Sequence, residues 1–376
     1  MVDSHRSLIL VTSYPGQPSR GEFERQAAAG RRPRKDYVEL AGRLDADVVD
    51  DSYLTEKATT MARVVGRMAG RSAAQLVEGF IQGGKYDHIC VWADRIGLPL
   101  ALLHKIAHVD RDLVLVASWP SRAGKAFMLK RLRVHTHLRA IVGFSSAQLE
   151  IAASRLAVPR SKLQLLLQPV DERFWRPSPS MPTKLICAVG STGRDYETLL
   201  SSVRGVDVEL RIAVGSIDLA DRILERRLVR AGLPPNATIR HLSPVELRDL
   251  YSSARFVVLP LEDVESDCGV TTLTEAMAMG KAVIVTRTRG QIDMIEDGVQ
   301  GIYVRPRDPH ALRAAIEYLV AHPEEADRMG RAGRALAEER HTLTRYVERL
   351  AATVRGDPLV LSGASDHLRA AAASTT

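Results

Sequence analysis

Short, almost unbroken runs of β-branched and other apolar residues alternate with longer stretches of helical spacing, and the alternation passes through the chain twice. Runs at 7–13, 46–49, 86–93, 113–118, 140–145 and 163–170 read as strands buried on both faces, as in a parallel sheet. Residues 37–44, 55–81 and 95–107 between them carry helical spacing. The stretch 168–184 contains Pro169, Pro177, Pro179 and Pro182 among scattered serines, which is the composition of a linker. Beyond it the pattern restarts, with strand-like runs at 184–190, 208–215, 237–243, 255–261, 282–288 and 301–305. Repeated βα units imply parallel sheets with right-handed crossovers, so the expected class is α/β: two Rossmann-like domains facing each other across a cleft. The expected division is a first domain over 1–170, a linker over 171–183 and a second domain over 184–340. A C-terminal helix over 341–356 should pack back towards the first domain, and 357–376 should form a flexible tail.

Composition narrows the function. The 376 residues are 45% hydrophobic, ample for a sizeable core. No apolar run approaches the roughly 18–20 residues needed to span a bilayer. Residues 1–14 lack a basic leader or a small-residue cleavage site, so a cytoplasmic protein is expected. Cys90, Cys187 and Cys268 are too few and too scattered for a disulfide framework or a zinc site. The net charge of +7 is unevenly placed: no acidic residue falls between Asp112 and Glu150, where six cations lie from Arg122 to Arg139. A second basic cluster is Arg31-Arg32-Pro33-Arg34-Lys35. Such clusters attract phosphates, anionic lipid or nucleic acid, and are as often solvated surface. The 122–139 segment is a candidate peripheral membrane contact, although Met128, Leu129 and Leu132 give only a blurred apolar stripe. It lacks the aromatic interleaving of a single-strand binder, so no nucleic-acid partner is expected.

Open α/β sheets bind ligands beyond the carboxyl ends of their strands. The strongest candidate site follows the run 255–261. Gly269 and Thr271 mark an approachable turn and a helix N-cap, and Leu273, Ala276, Met277 and Gly280 share the face that should pack on the sheet. Glu275 lies off that face and aims towards the cleft mouth, where a carboxylate can accept two hydrogen bonds from vicinal hydroxyls. Asp267 precedes it by eight residues, in a loop that must cross the same place, and amides from Gly269 to Thr271 would face an anion.

The segment 267–280, followed by Ala282-Val283-Ile284-Val285-Thr286, resembles the Glu-x7-Glu region of family 4 glycosyltransferases, which have the GT-B fold. Residues 167–174, 247–254 and 297–304 are similar to that family's interdomain turn, to the helix before the motif strand and to the strand entry after it. The resemblance covers about residues 140–350 well and the first half in outline. It implies a retaining, metal-independent, hexosyltransferase-type enzyme with a nucleoside-diphosphate-sugar donor and no further cofactor. It implies that Glu275 holds the ribose, that Asp267 contacts donor-sugar hydroxyls, and that amides of Gly269, Val270 and Thr271 contact sugar and diphosphate. The loop Gly190-Ser191-Thr192-Gly193-Arg194-Asp195-Tyr196 matches the family's phosphate-gripping loop. Arg194 stands there at the usual lysine position, to clasp the diphosphate and stabilise the leaving group. The backbone near Leu242 would face the base.

Two departures stand out: Asp267 replaces the family's first glutamate, and Ser191 replaces an arginine in a shortened loop. In the first half, Gly16 and Gly21 in the loop 14–22 would let backbone approach the diphosphate and acceptor. Asp94, closing the run 86–93, is a candidate cleft residue near the reacting sugar, with helix capping as the alternative. His88 reads as structural, His135-Thr136-His137 as solvated, Asp110-Arg111-Asp112 as a chance match to a metal motif, and Asn236-Ala237-Thr238 as a sequon without consequence. No G-x-G-x-x-G opens either half, against a dehydrogenase. The expected activity is sugar transfer to an acceptor that the sequence does not name: a small molecule, a glycan or a lipid-linked species. The alternatives are a nucleotide-sugar epimerase of the same fold, or a basic, non-catalytic nucleic-acid or membrane-surface binder.

Overall fold

The computed structural model describes residues 6–12, 18–117, 123–178, 184–214, 219–230 and 232–357. They form two α/β domains, each built on a six-stranded, wholly parallel sheet.

The first domain runs β1 (Ser7–Val11), α1 (Arg20–Ala28), α2 (Asp36–Leu44), β2 (Asp47–Val49), α3 (Asp51–Glu56), α4 (Thr60–Ala69), α5 (Arg71–Gln82), β3 (His88–Trp92), α6 (Asp94–Ile106), β4 (Asp112–Ala117), α7 (Ala123–Lys130), β5 (Ala140–Gly143), α8 (Ser146–Ser154) and β6 (Leu163–Leu165). Its strand order is β2-β1-β3-β4-β5-β6. The second domain runs β7 (Leu185–Val189), α9 (Tyr196–Val203), β8 (Glu209–Val214), α10 (Leu219–Arg230), β9 (Ala237–His241), α11 (Pro244–Ser253), β10 (Phe256–Leu259), α12 (Val270–Ala278), β11 (Ala282–Thr286), β12 (Gly301–Val304), α13 (Pro309–Ala321), α14 (Pro323–Arg340) and α15 (Leu343–Arg355). Its order is β12-β11-β10-β7-β8-β9.

Each of the strand-like runs overlaps one of these strands. Strands such as β1, β7, β10 and β11 are buried along their whole length, because helices cover both sheet faces. Cys90 and Cys187 are fully buried small core residues within β3 and β7. The helical stretch expected over 55–81 is divided instead. Thr59 caps α4, and Gly70, at φ +85°, ends α4 and starts α5, so that the two helices pack on each other. His135, expected in solvent, is buried in a short turn that packs on α6, and burial lowers its pKa. Asn236 is structural: its amide donates to the carbonyls of Val203, Val206 and Val208 at 3.0–3.2 Å.

The domains are tied at two places. After β6 the chain crosses over through Val170 and Asp171. Val170 exchanges backbone hydrogen bonds with His341 and Leu343 at 2.7 and 3.0 Å, and Asp171 receives both the amide and the guanidinium of Arg34. From there α15 returns to lie against α2, β3 and β4, and the Arg139 guanidinium donates to the carbonyls at its end. The second tie lies at the cleft mouth. The α8 N-cap, Ser145, makes no side-chain cap bond. The carboxylate of Asp293, from the other domain, accepts from the Ser146 amide and hydroxyl, each at 2.7 Å, and the Gln148 amide donates to the Glu265 carbonyl.

Among the described residues, no helix is long and apolar enough to cross a membrane. In the basic segment Lys125 pairs with Asp94 and Arg139 with Asp112, while Lys130, Arg131 and Arg133 are exposed. The expected tail lies, beyond Asp357, outside the described residues.

Candidate active site in the cleft

In the second sheet the connection order reverses between β7 and β10, so the loops leaving their carboxyl ends part to opposite faces and leave a crevice. These loops are 190–195 and 260–269. They hold each other by backbone bonds, Asp195 N to Pro260 O at 3.1 Å and Glu262 N to Gly193 O at 3.0 Å. Thr286 Oγ1 at the end of β11 accepts from the Leu261 amide at 2.9 Å.

Gly269, not Thr271, is the N-cap of α12. It adopts φ +90°, and no side chain caps this end. The first amides of α12 are therefore left facing the crevice, with the exception of Val270, whose amide donates to the Asp267 carbonyl at 3.3 Å. Thr271 is exposed beside it. A helix start of this kind favours negative charge.

Arg194 lies directly beneath, only 6% exposed. Its Nε donates to Val189 O at 2.9 Å, one terminal nitrogen to Thr192 O at 2.8 Å, and the other to Thr272 Oγ1 at 3.1 Å. The guanidinium is thus turned into its own loop and the first turn of α12 instead of reaching outwards. All three acceptors are neutral, so a positive charge sits under the helix start with burial, the main cause, lowering its pKa. Ser191 is half-buried in the same loop. Leu242 follows β9 and packs on the core just before the Ser243–Glu246 capping box that starts α11.

Glu275 stands on α12 facing α11, where the buried Tyr251 hydroxyl donates to Oε2 at 3.1 Å. Burial raises its pKa to about 7, opposed by Tyr251, by Lys35 of the first domain and by Arg194. Asp267 is likewise raised by burial, to about 6. Its further influences are Asp94, which raises it, and Lys125, which lowers it, both from the first domain. The loop that carries Asp267 is held from behind. Gly290 approaches so closely that a Cβ there would lie 1.9 Å from the Ser266 carbonyl oxygen. The Gln291 amide donates to Cys268 O.

Asp94 occupies the first turn of α6 at the end of β3, but it makes no capping bond; Ala93 is the N-cap. It is 6% exposed, pairs with Lys125 Nζ, and leaves Oδ1 buried with no hydrogen-bond partner among the described residues. Asp94 and Lys125 thus form a pair whose charges reach Asp267 across the cleft. Gly21, expected in a loop, lies in the first turn of α1, where a Cβ would stand 3.7 Å from the Arg25 side chain, and Gly16 lies outside the described residues. His88 sits near Asp112, at 3.3 Å from its carboxylate.

Tyr251, Thr272, Gly290 and Asp293 were not singled out from the sequence, and Lys125 was read only as one of the six cations of the basic segment. Tyr251 carried a signal, falling within the 247–254 segment one helix before the motif strand. The others acquire their roles only from the juxtaposition of loops and domains.

This architecture is the GT-B fold. Residues 183–322, which include both crevice loops and α12, match the family model of group 1 glycosyl transferases. Among curated relatives, a D-inositol 3-phosphate glycosyltransferase of Thermobifida fusca is 28% identical over 47% of this chain and 36% of its own length. An alpha-maltose-1-phosphate synthase of Mycobacterium tuberculosis is 32% identical over 34% of this chain and 35% of its own. The chain therefore spans about a third of the length of these relatives. Among solved structures, Anabaena HepE with UDP and glucose superposes with a TM-score of 0.69 at 14% identity, covering 93% of this chain and 99% of that one. Sucrose-phosphate synthase from Thermosynechococcus elongatus also gives 0.69 at 14%, covering 94% and 99%.

Proposed function

We propose that the protein is a retaining glycosyltransferase of family 4 that moves a sugar from a nucleoside diphosphate to an acceptor held by the first domain. One observation carries this reading: Glu275, the α12 start left open by Gly269, and the buried Arg194 converge at the reversal point of the second sheet. That set matches the three parts of such a donor. The Glu275 carboxylate accepts from the vicinal ribose hydroxyls. The amides of α12, with the Arg194 charge behind them, receive the diphosphate. As the glycosidic C–O bond breaks, the departing diphosphate gains negative charge against groups already in place, which is how preorganised dipoles lower a barrier.

Asp267 accepts from hydroxyls of the transferred sugar. From the facing wall, Asp94 presents its unpartnered Oδ1 to the acceptor, with Lys125 holding it in position. The ties at Asp293 and Gln148 keep the two walls together and keep water from competing with the acceptor. The match of 183–322 to group 1 glycosyl transferases, and the UDP and glucose bound by the HepE neighbour, support a nucleotide-sugar donor.

The test is to follow nucleoside diphosphate release from UDP-glucose, GDP-mannose, ADP-glucose and dTDP-glucose, with the product's anomeric configuration read by NMR. One donor turned over, with the anomer preserved and turnover lost in Glu275→Ala, is expected. An inverted product would overturn retention, and release indifferent to Glu275 would overturn the site.

A further inference from the structure

Of the basic cluster Arg31-Arg32-Pro33-Arg34-Lys35, Arg31 and Lys35 are exposed and Arg32 and Arg34 half-buried, and Arg32, Arg34 and Lys35 turn towards one hollow. These three form one wall of a cavity of ≈ 470 Å³ between the α1–α2 loop, the interdomain linker and α11, which neither Asp267 nor Glu275 lines. Six cationic side chains line it: Arg32, Arg34, Lys35, Arg173, Arg176 and Arg248. The carboxylates in its lining are already engaged. Asp171 and Glu39 pair with Arg34 at 2.7 and 3.4 Å, and Glu24 pairs with Arg20 at 3.0 Å. Among the described residues the other five cations have no carboxylate partner.

Two of them are held ready. The Arg32 guanidinium lies 4.5 Å over the Phe23 ring and that of Arg248 lies 4.7 Å over Phe174. One terminal nitrogen of Arg32 is buried without a hydrogen-bond acceptor. A buried unpaired donor and a concentration of like charges both cost free energy, and a multivalent anion relieves both. Guanidinium groups with fixed planes suit phosphate oxygens, which accept paired N–H donors. The volume exceeds what a bare phosphate ion needs.

We infer that this hinge cavity binds a small molecule carrying a phosphomonoester, whose dianion is taken by Arg32, Lys35 and Arg248. Its walls come from the first domain, the linker and the second domain, so occupancy favours their closed arrangement. Neither Asp267 nor Glu275 lines the site, although the charge of Lys35 also reaches Glu275, and its test uses no donor.

Two sources share this chemistry, a soluble sugar phosphate and the headgroup of a phosphatidic acid. Calorimetry with glucose 6-phosphate, and co-sedimentation with phosphatidylcholine vesicles with and without phosphatidic acid, separate them. The full chain is compared with Arg32→Gln/Arg248→Gln, and with Arg63→Gln/Arg67→Gln on α4 as a charge-matched control, after thermal unfolding has shown all three folded. Binding of either probe, weakened at least tenfold in the first variant and not in the control, supports the site and names the source. Neither probe binding, equal weakening in both variants, or displacement of glucose 6-phosphate by UDP, GDP, ADP or dTDP would overturn it.

Discussion

Tyr251 donates its phenolic hydrogen to Glu275 Oε2 at 3.1 Å, joining α11 to α12 on the wall of the cleft. Burial drives the Glu275 pKa up to about 7, and this bond is the largest influence opposing the rise. Tyr251→Phe keeps the edge contact with Trp175, whose centroid lies 5.6 Å away, and removes only the bond. It should raise the Glu275 pKa further and weaken nucleotide binding at pH 7 by about 3- to 10-fold, in line with a hydrogen bond worth ~1 kcal/mol. Titration calorimetry between pH 6 and 8 checks this; an unchanged affinity and pH profile would contradict it.

Glu275 also makes stability depend on pH. Its folded pKa of about 7 exceeds the unfolded value of 4.5, so over that window the native state holds the proton more tightly. Stability is therefore full below about pH 4.5, falls as pH rises through 7, and levels off above, by up to ~3 kcal/mol. Asp267, raised from 3.8 to about 6, works in the same direction. Glu275→Gln should remove its share, so that the unliganded variant resists urea better than wild type at pH 8 while the two converge near pH 4.5. Parallel denaturation curves at both pH values would refute the assignment.

Gly290 backs the Asp267 loop so closely that an added methyl meets the Ser266 carbonyl. Gly290→Ala should displace that loop, cost ~1–3 kcal/mol and lower turnover at least tenfold. Gly42→Ala, in the interior of α2 with nothing within 4 Å, is the matched control and should be neutral or stabilising by up to ~1 kcal/mol. Urea denaturation and steady-state rates on both variants check the contrast.

Asp293 caps α8 from the opposite domain. Asp293→Ala removes both bonds and should cost about 1 kcal/mol of closure, seen as a larger radius of gyration in solution scattering and a fivefold or greater loss of turnover. Ser146→Ala keeps the backbone donor and should do less. Equal effects would remove the special place of the amide bond.

The strands were legible because a strand buried on both faces is apolar without interruption, and that signal needs no partner. The Asp267–Glu275 spacing was legible because eight residues of loop and helix are a local matter. What escaped was whatever depends on the meeting of distant segments. Arg194 carries no mark in the sequence to say that its guanidinium folds inwards to Val189 and Thr272. Asp94 read as either cleft or cap, and only the folded chain shows that Ala93 is the N-cap and that Asp94 pairs with Lys125 from a separate helix. Gly70 shows a related failure. One glycine at positive φ turns a single helical stretch into a hairpin, and hydrophobic spacing runs through it unchanged.

The central claim is that Glu275 and the open start of α12 form the nucleotide site. Calorimetric titration of UDP, GDP, ADP and dTDP into wild type and Glu275→Ala tests it most directly. One nucleotide binding in the micromolar range, and at least tenfold more weakly to the variant (about 1.4 kcal/mol), is the predicted result. Nucleotide bound equally well by both proteins, or by neither, would contradict it.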